Sequence, residues 1–303
     1  MQYVHASAPA KINVALRVGP PRLDGFHPLD TVFEALDLFD DVVAEHLSEP
    51  KVTVEISGLG EDLPTDASNL AVKAAELLRG RYGVETGVAL SITKRIPVAG
   101  GMAGGSADAA ATLVACNALW ELGLEPEELC ELGAELGSDV PFSLFGGLAH
   151  GTGRGEELTP VRPGAMHSWV LLTNPQGLST PDVFREFDAI MGYERVPDTL
   201  VADTEELRAA LGGTDLAAIG SLMANDLAEA AFSLRPDLRE IVRAIGTKGI
   251  TTILSGSGPT IAVLAEDFLT ADALAGSLAR DFPELTVLRA DGPAAGAHVR
   301  DAR

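Results

Sequence analysis

One stretch constrains this chain more than any other: PVAGGMAGGSADAAATLVACNALWELG, which begins at Pro97 directly after the strand-like run Val88–Arg95. Glycines at 100, 101, 104 and 105 separate that run from an alanine-rich helical pattern, about Ser106 to Leu122, that Gly123 closes. The order is strand, glycine loop, long buried helix. Two readings of the loop are open. In one, the glycines serve only the backbone geometry of a tight turn. In the other, they let backbone N–H groups approach a phosphate, and the helix start adds the positive end of its dipole. Position favours the second, because Lys94 and Arg95 flank the loop in a chain with only five lysines: Lys11, Lys51, Lys73, Lys94 and Lys248. The loop matches no common phosphate fingerprint. Without a Gly-Lys dipeptide it is not a Walker A loop, and there is no GxGxxG for a dinucleotide fold.

The 303 residues carry a net charge of −22, which excludes a nucleic-acid binder built on a basic face. Cys116 and Cys130 form no CxxC or Cys/His cluster, so neither a disulfide scaffold nor a zinc site is indicated. No cationic leader precedes an apolar run and no stretch reaches the length of a membrane span, so a cytoplasmic protein without membrane contact is expected.

Length suggests two domains, and the composition shift over Pro160–Gly164 puts the boundary there, giving 1–162 and 163–303. Strand patterns cover Lys11–Val18, Val52–Ile56, Val88–Thr93, His167–Thr173, Thr252–Leu254 and Ile261–Leu264. Helical patterns cover a segment capped by Ser68 and ended by Gly83, one starting near Pro126, and Pro181–Ile190, Thr204–Leu211, Leu216–Ala224 and Asp237–Ile245. Strands and helices segregate loosely, which predicts an α+β fold. The glycine- and alanine-rich tail from about Ala290 is expected to fray.

Two more segments accompany the glycine run in a fixed order: APAKINVALRVG (Ala8–Gly19) and LSGSGPT (Leu254–Thr260). Together the three resemble the GHMP kinases, a family of ATP-dependent small-molecule kinases that includes galactokinase, homoserine kinase and mevalonate kinase. The likeness runs from about Ala8 to Leu264. It implies a two-domain α+β architecture with the active site in the cleft between domains. The segments DGFHPLDTVFEALDLFD (Asp24–Asp40), LGSDVPFSLFGGLAHGTGRGE (Leu136–Glu156) and STPDVF (Ser179–Phe184) are similar to one branch of that family. Its alcohol substrate carries a cytidine diphosphate group, and it serves the non-mevalonate isoprenoid route. Homoserine or mevalonate kinase activity, or a non-catalytic nucleotide binder, are the alternatives; the last would be expected to lack Lys11 or Asp139, and both are present.

The resemblance implies roles residue by residue. Mg²⁺-ATP would bind along Lys94, Pro97, Ala99, Gly100, Gly101, Met102, Ala103, Gly104, Gly105 and Ser106, with Gly256 and Gly258 as a supporting phosphate loop; the metal ligands stay unassigned. Asp139, which by itself reads equally as a turn residue or helix cap, would be the general base that takes the hydroxyl proton. Lys11 would keep that carboxylate ionised and stabilise charge on the transferring phosphoryl group. Phe26 and Phe184 would sandwich the cytosine, His27 would bond its polar edge, and Thr180 would make a further polar contact; Asn13, two residues after Lys11 on the same strand face, reads equally as a contact to a substrate hydroxyl or as a polar residue pointing to solvent. One departure stands out: Ala107 replaces a second loop serine, and Asp108 would repel phosphate unless it turns away or helps hold Mg²⁺. A small-molecule partner and a monomer or weak homodimer complete the expectation.

Overall fold

The computed structural model describes residues 2–98, 100–193 and 202–303. Among them the chain runs β1 (Tyr3–Val18), β2 (Leu29–Leu47), β3 (Val52–Gly58), α1 (Leu70–Tyr82), β4 (Gly87–Lys94), α2 (Gly104–Leu119), α3 (Pro126–Leu136), α4 (Val140–Phe145), β5 (Leu148–Thr152), β6 (Glu157–Pro160), β7 (His167–Thr173), α5 (Thr180–Met191), α6 (Glu205–Leu211), α7 (Leu216–Leu222), β8 (Ala224–Asn225), α8 (Ala228–Leu234), α9 (Pro236–Gly246), β9 (Thr252–Leu254), β10 (Ile261–Ala265), α10 (Phe268–Asp281), β11 (Thr286–Gly292) and β12 (His298–Ala302). No helix among the described residues is long and apolar enough to cross a membrane.

Two sheets organise these elements into an α+β fold. The first follows the order β12-β1-β2-β4-β3, with β5 pairing β2 and β6, and the short β8 lying parallel to β1. The second is β11-β7-β10-β9, antiparallel throughout. Long strands β1 and β2 pair antiparallel, and register opposes Lys11 to Ala35 and Asn13 to Phe33. Helix α2 packs against both strands and α1. Its Ala107, Ala109, Ala110, Ala111 and Ala115 are fully buried, and side chains no larger than a methyl group let the helix lie close against the sheet.

Several boundaries differ from the sequence pattern for identifiable reasons. Helix α1 is capped by Asn69, whose side chain accepts from Ala71 N at 2.9 Å, and not by Ser68, whose hydroxyl donates to Asp66. Helix α2 starts at Gly104 and ends at Leu119, earlier at both ends than expected. The tail does not fray. Strand β12 pairs with the edge of β1, Ser7 opposite His298 and Val4 opposite Ala302, so it satisfies backbone groups that would otherwise lie open. The small residues before it permit a close crossing: a Cβ on Gly296 would stand 2.1 Å from Leu144 O.

The glycine loop is anchored at both ends by one buried charge cluster. Lys94, the last residue of β4, directs its three ammonium hydrogens to an Asp40 carboxylate oxygen on β2, to Asp108 Oδ2 at 2.8 Å, and to Gly104 O at 3.0 Å. The other Asp40 oxygen accepts from Arg95 N at 2.6 Å and Ile96 N at 2.8 Å. All three side chains are buried. Burial disfavours the Lys94 charge, yet Asp108 and Asp40 together hold it above the usual lysine range. Burial pushes the Asp108 carboxyl up to about 7, against the pull of Lys94, with Asp40 adding repulsion.

Replacing Lys94 with Met leaves two carboxylates buried without a cation, so urea unfolding is expected to register a loss of about 3–5 kcal/mol. The folded chain holds the Asp108 proton more tightly than the unfolded chain. The associated stability is therefore full below the ordinary carboxylate range and is lost as pH rises through about 7. Unfolding curves at a series of pH values are expected to show this fall in the wild type and a flatter profile in Asp108→Asn.

Candidate active site

A cleft of about 1070 Å³ runs between the glycine loop, the second half of β1 and helix α5. The loop is held open-faced by a second glycine loop. Ser255 Oγ donates to Gly101 O at 3.1 Å, Thr260 N donates to Gly100 O at 3.4 Å, and Lys11 N donates to Met102 O at 3.2 Å. Gly101, at φ +73°, is needed here because a Cβ would stand 2.4 Å from Ser255 O. Gly100, Gly101, Ala103, Gly104, Gly105, Ser106 and Pro97 all line the cleft. The first turn of α2 has no side-chain cap, since its N-cap is Ala103 at φ 59°. An uncapped sixteen-residue helix facing a cleft fits an anionic group such as a nucleotide phosphate.

The other expected loop residues do not all face the cleft. Met102 is fully buried and meets β1 through its carbonyl, so its side chain faces the core and not the cleft. Ala99 lies outside the described residues. Lys94 reaches the cleft floor, but its three donors are already committed, so it shapes the loop and leaves no hydrogen for a phosphate. The same pairing answers the concern over Asp108, which turns to Lys94. Arg95 pairs with Asp41 at 2.6 Å on an exposed edge and does not line the cleft. Gly256 borders the cleft, 3.4 Å from Lys11 Nζ measured from its notional Cβ, whereas Gly258 packs on Leu254.

Lys11 and Asp139, far apart in sequence, meet at the centre. Their closest approach is 3.9 Å, with Lys11 buried and Asp139 about one-third exposed. Asp139 sits at the N-cap of α4, yet its side chain makes no capping bond, so the carboxylate is free for other work. Lys11 Nζ donates to Asn13 Oδ1 at 2.7 Å, and Asn13 Nδ2 donates to Thr31 Oγ1 at 2.8 Å. Asn13 therefore orients the ammonium as well as lining the cleft. Burial lowers the Lys11 pKa, and Asp139 opposes that shift.

The far end of the cleft is aromatic. Phe26 is half exposed and carries the Arg154 guanidinium 4.9 Å from its ring centre. The Phe184 ring lies 4.8 Å from the His27 ring. Thr180 Oγ1 lies 2.8 Å from Ser257 Oγ, which ties α5 to the second glycine loop. Sequence reasoning did not single out Arg154, Asp188, Tyr193, Ser138 or Ser257, all of which line the cleft. Arg154 and Ser138 lay inside quoted segments without a signal of their own. Asn225 was also missed: its amide donates to Leu254 O at 2.8 Å and Gly256 O at 2.7 Å, a loop-bracing role visible only once β8 pairs with β1.

A glycine loop on an uncapped helix beside an ammonium–carboxylate pair defines a phosphotransferase cleft, and family models agree. Residues 69–147 match the GHMP kinases N terminal domain and residues 205–284 the GHMP kinases C terminal model. The chain belongs to the GHMP kinases, and is an ATP-dependent small-molecule kinase. Among its relatives, the 4-diphosphocytidyl-2-C-methyl-D-erythritol kinase of Pseudarthrobacter chlorophenolicus is 47% identical, over 98% of this chain and 94% of that protein. The kinase of the same name from Streptomyces coelicolor is 48% identical over 98% and 99%. A crystal structure of 4-(cytidine 5'-diphospho)-2C-methyl-D-erythritol kinase superposes with a TM-score of 0.74 at 32% identity, covering 95% of this chain and 99% of that one. Homoserine kinase from Cytophaga hutchinsonii, at 19% identity and a TM-score of 0.75 over 99% and 98% of the chains, shares the fold.

Because a methyl group at Gly101 collides with the second glycine loop, Gly101→Ala is expected to weaken the protection that Mg²⁺-ATP gives against thermal unfolding by tenfold or more in apparent Kd.

Proposed function

We propose that this kinase transfers the γ-phosphoryl group of ATP to the 2-hydroxyl of 4-diphosphocytidyl-2-C-methyl-D-erythritol, giving the 2-phosphate and ADP. In this reading it works in the cytoplasm, on the non-mevalonate route to isopentenyl diphosphate. The observation that carries the reading is the Lys11–Asp139 pair standing between a glycine-lined phosphate end and an aromatic end formed by Phe26 and Phe184. The names of the relatives support it. The division of the chain near residue 162 belongs to the same reading, since β6 ends at Pro160 and β7 of the second sheet starts at His167.

ATP supplies the phosphoryl group, and Mg²⁺ neutralises charge spread over its phosphates. Among the described residues no three His, Cys, Asp or Glu are grouped to hold a metal. A Mg²⁺ ion, carried in with the nucleotide, would supply charge neutralisation at the phosphates. Backbone N–H groups at the start of α2 hold the phosphates. Asp139 accepts the proton of the attacking hydroxyl, and Lys11, oriented by Asn13, stabilises the negative charge on the oxygens around the transferring phosphorus. Phe26 and Phe184 supply the two apolar faces for the cytosine ring.

Transfer of labelled phosphate from ATP is expected with the cytidylyl alcohol and not with homoserine or mevalonate. Asp139→Asn and Lys11→Ala are each expected to lower kcat by roughly a hundredfold or more while leaving thermal unfolding near the wild-type midpoint. Near wild-type turnover in Asp139→Asn would overturn the base assignment.

A further inference from the structure

His27 was expected to read the polar edge of the base, but both of its ring nitrogens face protein atoms. Nδ1 lies 2.8 Å from Gly19 O. A carbonyl only accepts, so Nδ1 carries a hydrogen there. Nε2 then faces Asp188 Oδ1 at 3.5 Å, and that oxygen is buried without a hydrogen-bond partner among the described residues. The Asp188 carboxylate thus sets one oxygen against the His27 ring, and no other described group bonds that oxygen.

The position of Asp188 follows from helix geometry. It lies four residues after Phe184 on α5, on the same helix face and one turn along. Val183 and Phe187 are buried in the core beneath them. Asp188 lines the cleft and its side chain is 29% exposed. A planar base stacked on Phe184 therefore has its edge within reach of a carboxylate. Cytosine presents an exocyclic amino group, a donor, where uracil presents a carbonyl, an acceptor.

We propose that Asp188 is the specificity-determining residue of the aromatic end: its carboxylate, positioned by His27, accepts a hydrogen bond from the 4-amino group of cytosine and repels the 4-oxo group of uracil. The inference rests on the reading that the substrate carries a cytidine diphosphate group. Burial raises the Asp188 carboxyl above its ordinary range, and the neighbouring His27 partly offsets that rise.

The test is calorimetric binding of CDP and of UDP, with the nucleotide-triphosphate site saturated by a non-hydrolysable ATP analogue. Wild type is expected to prefer CDP. Asp188→Ala is expected to weaken CDP about tenfold or more and to bring the two ligands close to parity. Asp188→Asn, which keeps the shape and adds an amide donor, is expected to shift preference toward UDP. Unaltered binding of the ATP analogue checks that the variants are folded. A wild-type preference for CDP that persists unchanged in both variants overturns the role of Asp188. A wild type that binds neither ligand overturns the cytidine reading, and with it the inference.

Discussion

One ammonium between two buried carboxylates holds this structure in its working form. Lys94 closes β4, Asp40 sits in β2 and Asp108 occupies the first turns of α2, so the cluster joins the central sheet to the helix that carries the glycine loop. The loop itself has little side-chain mass with which to define its own shape. Its two ends are instead tied to a common point, and Asp40 extends the tie to the backbone of Arg95 and Ile96. An unpaired charge in that position would be costly, which makes the alternative arrangements of the loop unfavourable.

The second constraint is the contact between two glycine segments that are more than 150 residues apart. Ser255 and Thr260 bond to the carbonyls of Gly101 and Gly100, and Asn225 braces the second loop from behind. Lys11 and Asn13 lie beside this junction, so the ammonium that faces Asp139 is positioned by the same contact that holds the phosphate end. A displacement of either loop is therefore felt at the Lys11–Asp139 pair.

The acidity of the chain looks at odds with two polyanionic ligands, and the structure deepens the puzzle before resolving it. Of the three cations that sequence suggested for phosphate, Lys94 is saturated by protein acceptors and Arg95 pairs with Asp41 at the surface. Among the described residues, the other cations at the cleft are Lys11 and, at the aromatic end, Arg154 and Arg185. The uncapped start of α2 offers backbone N–H groups and a helix dipole, donors that a count of lysines leaves out. Net charge excluded a nucleic-acid surface, but it had no bearing on a cradle built from main-chain donors.

Local chemistry made much of this legible. Glycine spacing, the alternating run before it and the alanine-rich helix after it are short-range signals, and they located strand, loop and helix within a few residues. The motif order led to the family and to Lys11, Asp139, Phe26 and Phe184. The tail was misread because composition reports only local tendency, whereas β12 forms on the open edge of β1, some 290 residues away in sequence. The partners of Lys94 and of the His27 ring were decided by tertiary structure alone. Each depends on which acceptors have already taken a donor's hydrogens, and that accounting exists only once Asp40, Asp108 and Gly19 are brought beside them by the sheets.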